Sequence, residues 1–456
     1  MTTPVRLLYQ LRLIMGSSLI DDLVLATTHV ISLVASEGDS ATLVIMAVAT
    51  VSICYVTWML LMTGIEGAKS KDVITPIEER KPRPTLFYTD SLPTDLSRCY
   101  VKDCPRRTFL PSIGNGYVGT IAMSDEVHVA GLYNGKAYVK PRSGWPVYYY
   151  EHTHRARIPS TLSIDFTLDI PGKRSYALDV RSGTYVQWFE GNGIQIEQRL
   201  YAHRRYKNIA VNEIVVKSAV DTTLHLTLNR GNDSVDLVTL QNDAEEIDSV
   251  ELQDEHYDTT AVQFKTMFAS AKEAETSSVD KTKIAVTWTP VPLKLKIKKC
   301  QEGCKFRFVS AYVTSLETPN PEAKSQELWM KYSKLPFLYE THAKEWNNLW
   351  DSGSIKIADD INLAQLTYGS LYNLLSSIRP DWQFGLSPGG LPASEEYLGH
   401  VFWDQDIWMY PGLLMMFPDI AKTALEYRHK RMGAAEKIAA SRGYSGEELL
   451  MCSIQL

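Results

Sequence analysis

Three patterns in this 456-residue sequence predict a multidomain β + α protein: a long uncharged run near the amino terminus, a stretch of alternating apolar segments after it, and a change to helical spacing towards the end. The length exceeds what one hydrophobic core usually organises, so two or three domains are expected. With 45% hydrophobic and 22% charged residues, the bulk of the chain can bury a core rather than stay disordered. Its 47 Lys plus Arg against 53 Asp plus Glu leave a net charge of −6. That balance argues against a chain held to nucleic acid by bulk charge.

Residues 1–40 form an N-terminal segment, within which Leu23–Ala35 is apolar but too short to cross a bilayer. Ala41–Met62 runs 22 residues without a charge, and about 20 apolar residues span a membrane as a helix. The run starts too late and is too long for a signal peptide. A transmembrane helix over 41–63, and with it single-pass membrane attachment, is therefore expected; a buried helix, or upstream sequence that is not part of the natural mature protein, is the alternative. Lys69, Lys71, Arg80, Lys81 and Arg83 after the run, against Arg6 and Arg12 before it, lean the larger part towards the cytosol. The sequon Asn232-Asp233-Ser234, usable only on the lumenal side, points the other way.

Residues 64–85 read as a charged stalk ending in Lys-Pro-Arg-Pro. Over 86–316 the pattern has period two: Leu224, Leu226 and Leu228 alternate with His225 and Thr227, Leu293, Leu295 and Ile297 with lysines, and Phe306 and Phe308 flank Arg307. Such alternation places apolar side chains on one strand face and predicts a large antiparallel β-sandwich. In 317–355, Leu328, Trp329, Leu335, Leu338, Trp346 and Leu349 suit one or two amphipathic helices broken at Pro336. Asn362–Ile378 reads as a further helix stopped by Pro380, and Phe402–Lys437 as two more, interrupted at Pro411 and Pro418. Cys99 with Cys104 and Cys300 with Cys304 are the close cysteine pairs. A zinc site commonly wants two residues between paired ligands, so thiols or one or two disulfides are expected instead.

The densest chemical cluster is Gly399-His400-Val401-Phe402-Trp403-Asp404-Gln405-Asp406-Ile407-Trp408. On a helix His400, Asp404 and Trp408 share a face, whereas Asp404 and Asp406 diverge and do not form a facing acid pair. An indole beside a carboxylate suits a sugar, whose C–H face packs on the ring while its hydroxyls donate to the acid. Aromatic residues at this spacing also build helix cores, and spacing alone leaves both readings open. Gly385–Pro392 is a loop without the lysine of a phosphate-binding loop, suited to a pocket wall. Ile113–Gly119 and Leu132–Gly135 read as turns. His154-Arg155-Ala156-Arg157-Ile158-Pro159 could face a ligand, although a solvated edge or a domain contact fits better. No nucleophile elbow, zinc motif or kinase motif is present, and no metal or cofactor is called for.

Pro111–Gly116, Gly131–Gly135, His154–Pro159 and above all His400–Met409, with the Pro, Leu and Tyr-Arg pattern after it, resemble the family 65 glycoside hydrolases, in particular their acid trehalase-like branch. The resemblance covers Phe87 to Glu447. It implies a β-supersandwich, a helical linker and an (α/α)6 barrel, of which residues 356–456 would be a part. It further implies inverting cleavage of α-glucosides, by hydrolysis or phosphorolysis, and for this branch removal of the terminal glucose from glucosyl-galactosyl-hydroxylysine. Trp403 and Asp404 fall on the positions that hold the terminal glucose; His400, Asp406 and Trp408 would stand close by. The family's general acid follows the stretch matching Arg442–Gly446, and neither Glu447 nor Glu448 occupies its place. No catalytic residue is assigned, and this chain alone is expected to lack α-glucosidase activity. The competing expectation is a non-catalytic, membrane-attached domain that binds glycan or protein.

Overall fold

A computed structural model describes residues 74–92, 110–135, 153–230, 234–242, 250–251, 264–275, 279–392, 397–441 and 443. All belong to one compact unit, Asp72–Leu456; the second unit, Met1–Lys71, lies outside the described residues. The centre is a nine-stranded sheet running, edge to edge, Leu86–Thr89, Lys173–Asp179, Thr184–Gly191, Ile194–Ala202, Ile209–Ser218, Cys300–Thr314, Lys283–Trp288, Lys265–Ala271 and Leu237–Asn242, with every neighbour antiparallel. A four-stranded sheet orders Val250–Glu251, Lys294–Ile297, Thr222–Leu228 and Ile164–Thr167, the first pair parallel. A second four-stranded sheet runs Ser112–Gly114, Val118–Ile121, Glu126–Val129, Ile158–Pro159, and Tyr133–Asn134 pairs with His154–Arg155 as a short ribbon. The β region is thus more divided than one two-sheet sandwich.

Period-two side-chain direction explains the layering. Ile194, Ile196, Ile214, Val216, Phe306 and Phe308 face the first small sheet, meeting Phe166, Leu224, Leu226, Leu295 and Ile297. On the other face, Tyr201, Ile209, Val211, Val309 and Ala311 meet Trp329 and Leu338. Those two belong to helices α1 (Pro321–Tyr332) and α2 (Leu338–Ser352). Asn320 caps α1 by accepting the Ala323 N–H, and Pro321 starts it; Pro336 stands in the gap before α2. Beneath α2 the sheet carries a buried ladder of charge, Glu197–Arg199–Glu213–Arg307, each arginine paired to a carboxylate within 3.3 Å. Cys300 and Cys304 form a disulfide.

Helix α3 (Ile361–Ser377) opens on Asp360, whose carboxylate accepts the Asn362 and Leu363 N–H groups. With α4 (Tyr410–Met416), α5 (Pro418–Lys430) and α2 it closes a second core of Trp346, Trp350, Tyr372, Leu375, Leu413, Phe417 and Ala421. Pro411 and Pro418 lie within the first turns of α4 and α5, where a missing N–H costs nothing. Helix α6 is Met432–Ser441.

One expectation is corrected. No described helix is long and apolar enough to cross a membrane. The longest described, α3, has 17 residues, about 26 Å at 1.5 Å per residue, and its apolar stripe is spent on Trp346 and Phe417. The transmembrane helix, the single-pass localisation and the membrane partner are withdrawn, and residues 41–63 themselves lie outside the described residues. Outside them too lie Asn232, Cys99 and Cys104.

Candidate functional site

The segment leading to Trp403 and Asp404 begins with three consecutive residues in the left-handed region, Tyr397 (φ 55°), Leu398 (φ 54°) and Gly399 (φ 78°). For the two non-glycine residues this costs about 1–3 kcal/mol each, so the turn persists only because its surroundings hold it. The Tyr133–Asn134/His154–Arg155 ribbon does so. Tyr133 Oη donates to the Gly399 carbonyl at 2.6 Å, and the Arg155 guanidinium donates to the same oxygen at 3.1 Å. The other Arg155 terminal nitrogen donates to the carbonyls of Gly390 and Leu391 at 2.8 and 3.0 Å. His400 stacks on Tyr133, ring centroids 5.6 Å apart, and its Nε2 contacts the Thr153 carbonyl.

Asp404 then starts a single π-helical turn, Gln405–Met409, closed by the Tyr410 N–H donating to the Gln405 carbonyl. A repeat of five, not four, brings Trp408 beside Trp403, centroids 6.0 Å apart. His400 sits before the turn in non-helical backbone, so it does not join Asp404 and Trp408 on one helix face. Trp403 is 46% exposed and Trp408 67%. The Asp404 carboxylate is half-buried and makes no hydrogen bond or ion pair with any described residue.

Its neighbours are committed. Asp406 is bound by Arg428 of α5 at 2.6 and 3.1 Å, and the same guanidinium donates to the Phe402 carbonyl at 2.7 Å. Gln405 is fully buried; its side-chain oxygen accepts the Leu386 N–H at 2.8 Å. That bond fixes the Gly385–Pro392 loop against the turn, where a Cβ at Gly385 would stand 2.3 Å from the Gln405 oxygen. Exposed Ile407, Trp408, Leu414, Met415 and Leu425 continue an apolar surface from the turn onto α4 and α5.

The His154–Pro159 motif is a contact between regions: Arg155 is 3% exposed and points at main-chain carbonyls. Behind it, Asp236 is fully buried and accepts from His154 Nε2 at 2.8 Å, and from the Arg157 main-chain N–H, Nε and terminal nitrogen at 3.0, 2.7 and 2.9 Å. Burial alone raises a carboxyl pKa, but the bonds from His154 and Arg157 outweigh it and hold Asp236 well below the usual range. Gln405 and Arg428 were missed as parts of this site. Only the Tyr-Arg pattern containing Arg428 carried any signal. Among the described residues no His, Cys, Asp and Glu group could hold a metal.

Residues 369–455 match the glycosyl hydrolase family 65 central catalytic domain. A protein-glucosylgalactosylhydroxylysine glucosidase of Dictyostelium discoideum is 32% identical over 75% of this chain and 46% of its own length. The mouse protein of that name is 29% identical over 80% of this chain and 49% of its own. The chain spans about half the length of these curated relatives. A solved structure described as a kojibiose phosphorylase from the human microbiome has a similar fold, with a TM-score of 0.55 at 16% identity over 79% of this chain and 48% of that one.

Proposed function

Because residues 369–455 match the glycosyl hydrolase family 65 central catalytic domain, we propose that this chain carries the glucose-holding side of an α-glucosidase site acting on glucosyl-galactosyl-hydroxylysine. Asp404 accepts from the hydroxyls of the terminal glucose and Trp403 flanks the sugar ring. The observation that carries this reading is an uncommitted carboxylate next in sequence to one of two neighbouring exposed indoles, on a turn whose other polar side chains are already bonded. Charged hydrogen bonds to hydroxyls and C–H packing on indole are the two attractions a pyranose offers. The substrate class comes from the names of the relatives.

Inverting hydrolysis needs an acid to protonate the leaving oxygen and a second carboxyl about 6.5–9.5 Å away to activate water. Asp406 is unsuited to the acid role, since its carboxylate is held by the Arg428 guanidinium at 2.6 Å rather than left free to reach a leaving oxygen. No described residue is assigned as the acid. The test is binding of deoxynojirimycin, a glucose-shaped iminosugar, followed by calorimetry and tryptophan fluorescence, with glucose release from glucosyl-galactosyl-hydroxylysine measured alongside. Asp404→Asn should weaken binding by about 100-fold, because two charge-assisted bonds each lose roughly 1–1.5 kcal/mol when the acceptor becomes neutral. Unchanged affinity in that variant, or an intact chain that does not bind, would overturn the reading.

A further inference from the structure

Resting on that reading of Trp403 and Asp404, we propose that Arg155 and Tyr133 are positioning residues for the sugar site, acting from the β region without touching the sugar. They are one of the two directly opposed pairs of the two-stranded ribbon, and both donate to one acceptor, the Gly399 carbonyl. Gly399 is the last left-handed residue before the segment that delivers Trp403 and Asp404. Arg155 spends its other terminal nitrogen on Gly390 and Leu391 of the pocket-wall loop. One guanidinium therefore fixes two segments that are separate in sequence, and at the Gly399 end so closely that a Cβ there would stand 2.8 Å from the Arg155 Cβ.

The site end and the anchored end of the ribbon differ in chemistry. Towards the site, Tyr133 and Arg155 donate to the carbonyl oxygens of Gly399, Gly390 and Leu391, and Tyr133 stacks on His400. Away from it, His154 and Arg157 converge on the buried Asp236, so the ribbon cannot follow the turn if the turn moves. A left-handed Tyr397-Leu398 pair held against a fixed ribbon sets the direction in which the chain enters the π turn. Arg155 is 3% exposed and its terminal nitrogens face main chain, which excludes a direct role on the ligand.

The experiment compares the full chain with Arg155→Lys, Arg155→Gln, Tyr133→Phe and Asp404→Asn. Deoxynojirimycin affinity is read by calorimetry, and amide hydrogen exchange across 397–409 by mass spectrometry. Arg155→Gln should lose at least tenfold in affinity and speed exchange in 397–409, while exchange in Ile209–Ser218 stays as in the wild type. Arg155→Lys, keeping the charge but not the fork, should recover part of the affinity. Tyr133→Phe keeps the stack on His400 and loses one donor, so a loss of about three- to fivefold is expected. Should Arg155→Gln fold poorly, Tyr133→Phe and Arg155→Lys carry the test. If Asp404→Asn abolishes binding while the ribbon variants bind and exchange as the wild type, the positioning role is overturned and the sugar reading stands. If the wild type itself does not bind, the sugar reading falls and takes the positioning role with it.

Discussion

Replacing Asp236 by Asn tests how firmly the ribbon is held from behind. The carboxylate is fully buried and accepts four hydrogen bonds, one from His154 and three from Arg157. An asparagine keeps one acceptor oxygen but turns an NH2 group towards donors, and it leaves the Arg157 guanidinium, itself 12% exposed, without its counter-charge. Removing one partner of such a buried pair costs about 3–5 kcal/mol. For the compact unit Asp72–Leu456 the unfolding entropy is roughly 0.8 kcal/mol per degree, so Tm should fall by about 4–6 °C at pH 7 in a calorimetric scan. The pH dependence fixes the sign. The folded carboxyl has a depressed pKa, so its contribution is present above the unfolded value near 3.9 and is lost as pH falls below it. The gap between wild type and Asp236→Asn should therefore narrow below pH 4. A variant melting within a degree of the wild type at pH 7 would refute the reasoning.

Gly399→Ala should cost about 1–2 kcal/mol in the left-handed region, and must also displace Arg155; iminosugar affinity should drop at least tenfold, and an unaffected site would count against the tight turn. His203 accepts the Tyr206 N–H at 3.1 Å, and His342 the Arg204 N–H at 3.0 Å. Burial pushes His203 down to about 3 and His342 well below 6.5. Both stay neutral in the fold while the unfolded chain takes up protons below pH 6.5, so stability should decline by up to about 1.4 kcal/mol per pH unit for each histidine; a Tm that holds constant between pH 7 and 5 would show otherwise. Arg428→Gln removes the bonds to Asp406 and Phe402. It should lower iminosugar affinity with a Tm loss of only about 1–2 °C, and a variant with wild-type affinity would detach the ion pair from the site.

The sequence discloses the family because the Phe402–Asp406 block combines rare residue types in a fixed order. The β alternation is equally readable where a strand buries one face: Leu224 and Leu226 alternate with His225 and meet the nine-stranded sheet. The membrane element misled, since hydropathy measures only how apolar a run is, whereas every long described helix spends a stripe on protein. The common face expected for His400, Asp404 and Trp408 failed for a local reason. Neither the left-handed turn, announced by Gly399 alone, nor a single π turn leaves a periodic trace. The basic motif at 154–157 left a solvated edge and a domain contact both open, because its counter-charge, Asp236, stands 79 residues from Arg157, a distance no local pattern spans.

Asn115 and Arg204 help bind the strand and helical regions together. The Asn115 side chain accepts from Tyr117 and Val118 and donates to the carbonyls of His203 and Lys207, while its own carbonyl accepts from Arg204 and Arg379. Arg204 also takes the Leu375 carbonyl at the end of α3, and a Cβ at Gly116 would collide with Ile378. A cut after residue 316 would strip Asn115 of Arg379 and Arg204 of the Leu375 carbonyl, and lay bare Trp346, Trp350 and Trp382. Sheet and helices should therefore melt as one cooperative transition, and limited proteolysis should release neither half as a lasting fragment.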